Sequence, residues 1–214
     1  MPVVLHGYHY SVYVRIARMA LLEKRVSWQH VEVDPFEDIP ASYLALNPFG
    51  RVPTLEHDGF VLFETSAIIR YVDEAFDGPR LQPKTPRERA RMNQIIAIID
   101  SYGYWPMVRQ VFAQRIFAPA IGNAGDEAMI ADGIAKSQNV LSALENLASG
   151  GAFLVGSSLS LADLHLAAMI AYFTAAPEGA RSLSTYPKLS SWWSRMAQHA
   201  SLVETDPGLP SKPA

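Results

Sequence analysis

The hydrophobic pattern of this chain of 214 residues changes once, across a stretch suited to neither helix nor strand. That stretch is "DGPRLQPKTPR", residues 77–87, with three prolines and one glycine. Proline removes backbone donors and fixes φ, and glycine adds freedom, so the segment punctuates the chain. Before it, short strand-like runs alternate with helical ones. After it, only the helical period persists. The pattern predicts an α/β unit over 1–76, a linker over 77–87 and an all-helical unit over 88–214. The length allows a sizeable core in either arrangement.

In the first unit "VVLHG" predicts a strand and "SVYVRIARMALLEK" a helix. Val14, Ala17 and Leu21 fall on one face of that helix, with Ile16 and Ala20 beside them and Lys24 and Arg25 near its end. "SWQHVEVD" alternates, setting Trp28, His30 and Glu32 against Gln29, Val31 and Val33, and predicts a second strand. "PFEDIPASYLALNPFG" is loop with room for one helical turn. "TLEHDGFVLFE" predicts a hairpin around Asp58-Gly59. "TSAIIRYVDEAF" predicts a helix with Ile68, Val72 and Ala75 inward and Arg70, Asp73 and Glu74 outward. The order is β-α-β then β-β-α, with a parallel first pair and an antiparallel hairpin.

The second unit shows four helical stretches and no strand. The first, residues 88–117, contains Pro106, where a bend is expected. The others are "GDEAMIADGIAKSQNVLSALENLA", "SLADLHLAAMIAYFTAA" and "YPKLSSWWSRMAQH". The third of the four is almost entirely apolar, so it is central and buried. "DPGLPSKPA" at the end predicts a loosely packed tail.

Composition removes several classes of chemistry. There are no cysteines, so disulfides, thiolate metal sites and the protein's own thiol redox chemistry are excluded. A formal charge of −3 gives no electrostatic ground for nucleic acid or an anionic membrane as partner. The N-terminus lacks the pattern of a signal peptide, and no apolar run is long enough to span a bilayer, so the expected location is the cytoplasm. The six histidines are scattered, with His6 and His9 the one near pair, and no metal is expected.

Three stretches carry most information: "NPFGRVPTLEHDGFVLFETSAIIRYV", "SLADLHLAA" and "YPKLSSWW". With the order of elements, they make the chain resemble the glutathione transferase superfamily, and most closely the phi class and its bacterial relatives. The resemblance covers nearly the whole chain. It implies a thioredoxin-like first domain that binds glutathione and a helical domain that contributes an apolar pocket for a small electrophile. It implies glutathione as co-substrate, a homodimer and a role in detoxification. The alternative kept open is a non-catalytic relative that binds glutathione or a partner without turnover.

The resemblance also assigns residues. Val52-Pro53 starts a strand with an extended residue and no amide at the proline. In the family that proline is cis, and the backbone before it pairs with the cysteinyl part of glutathione. Glu64 and Thr65 match the residues that hold its γ-glutamyl end, the acid facing the ammonium and the hydroxyl and amides facing the carboxylate. Thr65 lies where helical periodicity begins, which makes it the expected N-cap. Phi-class members commonly carry arginine where this chain has Ser66, and a loop lysine that this chain lacks. Arg51 either meets the glycyl carboxylate in its place or is a solvated cation.

Thiolate, not thiol, is the nucleophile in such chemistry, and a free cysteine thiol has pKa about 8.5. A hydroxyl donor at a helix N-terminus stabilises thiolate. Within "GYHYSVYVR", Ser11 stands at the helix start and matches the catalytic serine of the phi and theta-like classes. Two alternatives stay open: Tyr8 as the donor, as other classes use a tyrosine at the end of the first strand, and Ser11 as a bare helix cap. Tyr10 and Tyr13 are expected as pocket walls or packing, and His9 as a solvated or pocket-rim residue.

Elsewhere the readings are mostly structural. Ser160 and Asp163 form a capping box, whose loss costs about 0.5–2 kcal/mol. His165 is expected as a satisfied core histidine, and Trp192, Trp193 and Met196 as packing. Tyr102, Tyr104, Trp105, Met107, Val108 and Phe112 divide between core and pocket wall. Asp100 is either an acid that in several relatives reaches the γ-glutamyl ammonium across a dimer interface, or a solvated helix-face acid.

Overall fold

Gly7 closes the first strand because nothing larger fits there. A Cβ at this position would lie 2.4 Å from Cγ2 of Val14 and 2.9 Å from its Cγ1. Val14 is β-branched and nearly fixed at χ1 in a helix, so it cannot swing away cheaply. Gly7→Ala is therefore expected to lose about 1–3 kcal/mol by overpacking. Adding Val14→Ala should return part of that loss. Urea unfolding of both single variants and the double measures the coupling, and strict additivity would refute the contact.

The computed structural model describes residues 2–210. The first unit runs β1 (Val3–Gly7), α1 (Val12–Glu23), β2 (Trp28–Glu32), α2 (Ala41–Leu46), β3 (Thr54–His57), β4 (Phe60–Phe63) and α3 (Thr65–Ala75). The four strands lie in the order β2-β1-β3-β4. β1 and β2 are parallel, and β1–β3 and β3–β4 antiparallel. Val14, Ala17, Leu21, Ile68 and Val72 are fully buried, as their helical spacing predicts.

Four local expectations change. α2 is a helix of 6 residues where the sequence predicts at most one turn. β2 is an edge strand and shows no clean alternation, because one of its sides has no neighbouring strand to exclude water. Asp73, expected outward, is buried. The buried Lys24 ammonium explains it, donating to Asp73 Oδ1 at 3.2 Å, to the Asp73 carbonyl at 3.0 Å and to the Pro79 carbonyl at 3.2 Å. All three ammonium hydrogens thus find acceptors, which a buried ion pair requires. Ala75, expected inward, is exposed at the last turn of α3.

The second unit begins at Leu81. α4 (Pro86–Ile98) continues into wide-turn segments Ile99–Gly103 and Trp105–Phe117, then α5 (Ala118–Ala120). α6 (Glu127–Leu147), α7 (Leu161–Ala175), α8 (Pro177–Ser184), α9 (Pro187–Met196) and α10 (Ala200–Glu204) follow. No strand occurs there among the described residues. The expected bend at Pro106 is replaced by widening that starts at Ile99, where the Tyr104 amide reaches back five residues to the Ile99 carbonyl. A proline ring crowds the carbonyl four residues earlier, here that of Tyr102, and a wider turn relieves that crowding. α8 has no counterpart among the expected helices. It starts at Pro177, which suits a first helical position.

α7 is the buried centre of this unit. Its capping box is present, and Asp163 does more than cap. Asp163 Oδ2 accepts from the Ser160 amide at 2.8 Å and the Ser160 hydroxyl at 2.6 Å. Its Oδ1 accepts from the Leu154 amide at 2.8 Å and the Trp192 indole at 2.9 Å. The side chain has 0% exposure, and this burial pushes its carboxyl above the usual range while the four donors pull against the shift. Trp192 and Met196 are core, as expected, and Trp193 is half-buried.

The predicted loose tail starts later than expected. Residues Glu204–Pro207 belong to the first unit, with Thr205 fully buried. Asp206 lies 3.7 Å from the buried Arg15 guanidinium of α1. Leu209 is exposed, and residues 211–214 lie outside the described part.

Candidate functional site

Strand register gathers the predicted residues at one end of the sheet. Thr54 pairs with His6 on one side and with Phe63 on the other. The residues just past this row are therefore Gly7-Tyr8, Pro53 and Glu64. β2 ends one residue past this row, where Glu32 pairs with Gly7 and the Val33 amide donates to the Gly7 carbonyl at 3.2 Å. This is the carboxyl end of the parallel pair, where α/β sheets place ligands.

Ser11 is the N-cap of α1, with extended backbone at φ −73 and ψ 124. Its amide donates to the Tyr8 carbonyl at 2.9 Å, closing the turn, and its Oγ accepts from the Val14 amide at 3.4 Å. That distance makes a weak cap. The hydroxyl proton has no acceptor among the described residues. Ser11 is thus an oxygen polarised by a helix amide with its own donor uncommitted.

Tyr8, the rival donor, sits in a ring cluster. Its ring meets Tyr10 at 5.6 Å and Phe36 at 5.8 Å, both edge to face. Partial burial, with Asp34, Tyr10, Glu32 and Glu37 acting through space, pushes its hydroxyl up to about 12. Burial, the largest cause, disfavours the charged form, so this hydroxyl stays protonated at neutral pH. His9 is exposed and stacks edge-on to Tyr10 at 5.1 Å. Tyr13 is half-buried on α1.

The Val52-Pro53 bond is cis. The backbone amide and carbonyl of Val52 have no backbone partner among the described residues, so they are open to an added extended chain. The loop before them is fixed from beneath. The Tyr43 hydroxyl donates to the Arg51 carbonyl at 2.6 Å and lies 2.9 Å from Thr54 Oγ1. The Asn47 side-chain amide donates to the Arg51 carbonyl at 2.9 Å. Arg51 itself is exposed.

Glu64, not Thr65, is the N-cap of α3. Glu64 has φ 70 and ψ 112, a left-handed conformation that costs a non-glycine residue about 1–3 kcal/mol. This kink ends β4 and starts the helix one residue earlier than periodicity suggests. Thr65 is already helical and buried. The amides of Thr65 and Ser66 have no partner among the described residues, and a helix of 11 residues stands behind them. Open amides at such an end favour a carboxylate.

In the second unit, Met107, Val108 and Phe112 are core, while Tyr102 and Trp105 are exposed and Tyr104 half-buried. Asp100 is exposed on the long helix, in keeping with the solvated reading, and also has a partner within the unit. His165, fully buried on α7, holds Asp100 Oδ1 at 2.7 Å through Nε2. Tyr43 and Asn47 are the positioning residues that the sequence reading misses. Asn47-Pro48 carries a turn signal, and the Asn47 side chain accepts from the Phe49 amide at 3.1 Å. Tyr43 carries no local signal, because its partners lie across the loop.

A four-stranded mixed sheet with flanking helices, then an all-helical unit, is the architecture of a thioredoxin-like domain joined to a helical one. Residues 5–80 match the family described as glutathione S-transferase, N-terminal domain, and residues 104–200 match glutathione S-transferase, C-terminal domain. Glutathione S-transferase F10 of Arabidopsis thaliana is 32% identical over 192 residues, covering 88% of this chain and 89% of that protein. Glutathione transferase F7 from Populus trichocarpa superposes with a TM-score of 0.81 at 29% identity, over 95% of this chain and 97% of that one. A maize glutathione S-transferase I, solved with an atrazine glutathione conjugate, superposes with a TM-score of 0.82 at 25% identity, over 96% of each chain. The chain belongs to the glutathione S-transferase family, on its phi-class side.

Proposed function

We propose that this protein is a glutathione transferase in which the Ser11 hydroxyl stabilises the glutathione thiolate for attack on a small, apolar electrophile. The observation that carries this is the uncommitted Ser11 proton at the N-terminus of α1, on an oxygen held by the Val14 amide. The open Val52 backbone beside Pro53 pairs with the cysteinyl part. Glu64 faces the γ-glutamyl ammonium, and the Thr65 hydroxyl with the first α3 amides faces its carboxylate. Arg51 meets the glycyl carboxylate. In this reading residues 1–76 bind glutathione, 77–87 link, and 88–214 supply the electrophile pocket. The protein works as a cytoplasmic homodimer in detoxification.

Mechanistically, the thiol proton passes to solvent and sulfur keeps the electron pair. A hydrogen bond from Ser11 and the partial positive charge of α1 together lower the thiol pKa by about one to two units. No metal is required, and among the described residues no cluster of three or more metal-ligating side chains occurs. Retention on immobilised glutathione, followed by turnover of an aryl halide, tests the reading. Glu64→Gln should weaken retention by roughly tenfold, the worth of one charge-assisted hydrogen bond. No retention of the parent protein would sink the glutathione reading, and retention without turnover of a broad electrophile panel would favour the non-catalytic alternative.

A further inference from the structure

At the sheet end that carries Ser11, the two segments that bear the aromatic rings supply acids and no lysine or arginine. From the N-terminus to Val14 the chain has no lysine, arginine or acid, and between Arg25 and Arg51 it has Glu32, Asp34, Glu37 and Asp38 and no lysine or arginine. Two of these carboxylates are tied to the segments that carry the aromatic rings. Glu32 Oε1 accepts from the His9 amide at 2.9 Å, fixing the Tyr8–Tyr10 turn to β2. Asp34 Oδ1 accepts from the Phe36 amide at 2.8 Å, fixing the ring that meets Tyr8. Glu32 is also shared with His30 at 2.8 Å, while Asp34 and Glu37 pair with no lysine or arginine among the described residues. Phe36 is 65% exposed, so its ring is accessible to a ligand.

Rings with negative faces and unpaired carboxylates favour positive charge and repel negative charge. We infer that the wall formed by Tyr8, Tyr10 and Phe36 with Asp34 and Glu37 makes this enzyme select electrophiles by charge, accepting cationic and neutral acceptors and rejecting anionic ones. The same carboxylates act on the Tyr8 hydroxyl in the same sense, secondary to its burial. This inference rests on the glutathione transferase reading of the same site. It adds to that reading a specificity that the sulfur chemistry alone does not impose.

The test uses three chloronitrobenzenes that differ only para to chlorine, carrying trimethylammonium, carboxamide or carboxylate. In each, sulfur forms a bond to the chlorine-bearing carbon, the carbon–chlorine bond breaks with its electron pair, and chloride leaves. Each kcat/KM is divided by the uncatalysed rate with glutathione, which removes intrinsic reactivity. Comparing electrophiles within one enzyme also cancels any change in thiolate fraction. At low ionic strength the normalised values should fall from trimethylammonium to carboxamide to carboxylate, spanning about tenfold, and the span should shrink to about twofold in 1 M salt. In the double variant Asp34→Asn with Glu37→Gln the span should collapse at low salt. The Asp34→Asn change still leaves a side-chain oxygen to accept from the Phe36 amide, and the salt series on the parent protein stands if the variant folds poorly. Turnover of all three at equal normalised rates, or a span indifferent to salt and to the double variant, would overturn the inference. Failure to turn over even the carboxamide would overturn the transferase reading beneath it, a distinct result.

Discussion

Ser11→Ala is expected to cut turnover by at most roughly 8- to 25-fold at pH 7, the thiolate lost when a thiol pKa lowered by about one to two units returns to about 8.5. Glutathione should still bind within a few-fold of the parent affinity, because Val52, Glu64 and the α3 amides are untouched. The cause is a change in thiol acidity, so its sign with pH is fixed. Loss of the donor returns the bound thiol toward about 8.5. The thiolate fraction then falls at pH 6 to 7 and recovers as pH rises, so the deficit should narrow above pH 8.5. Thiolate absorbance of the binary complex, titrated beside the pH–rate profile, measures this directly. Tyr8→Phe is the paired control and should keep most of the rate, since in this reading the thiolate takes its hydrogen bond from Ser11. Full activity in Ser11→Ala with loss in Tyr8→Phe would transfer the role to Tyr8.

The second large effect is on stability. Asp163→Ala is expected to cost about 3–5 kcal/mol, well above the loss of an ordinary helix cap. The Leu154 amide, the Ser160 amide and hydroxyl and the Trp192 indole would all lose their acceptor in a buried place. Asp163→Asn should cost less, since one acceptor oxygen remains. Urea unfolding measures both, and a loss below about 1 kcal/mol in Asp163→Ala would show that the donors find other partners. Specific activity per folded molecule should stay near the parent value, separating this residue from the chemistry.

These two residues also show what was legible. Ser11 and Asp163 both stand out in sequence because each opens a helix, and a cap is a local signal. What Asp163 holds beyond its own turn is not local, since Leu154 and Trp192 reach it through packing. Alternation and the Asp58-Gly59 turn give the hairpin that sets Val52-Pro53, Glu64 and Thr65 at one end of the sheet, whereas the roles assigned to them come from the family resemblance alone. The N-cap slipped by one residue, from Thr65 to Glu64, because a left-handed backbone at a glutamate has no compositional mark. Asp73 was misplaced because its partner Lys24 lies 49 positions away, and helical periodicity registers only neighbours. The wide turn around Pro106 and the helix at Pro177 depend on packing of whole elements, which a single sequence does not display.

The return of Glu204–Pro207 to the first unit has a consequence for synthesis. The first unit leaves the ribosome before the helical one, yet its last piece is made after it. Roughly 120 residues separate the two, on the order of ten seconds at about 5–20 residues per second. During that interval α1, which carries Ser11, lacks the segment that brings Asp206 to Arg15 and buries Thr205. The part of the protein that begins folding earliest is therefore completed last.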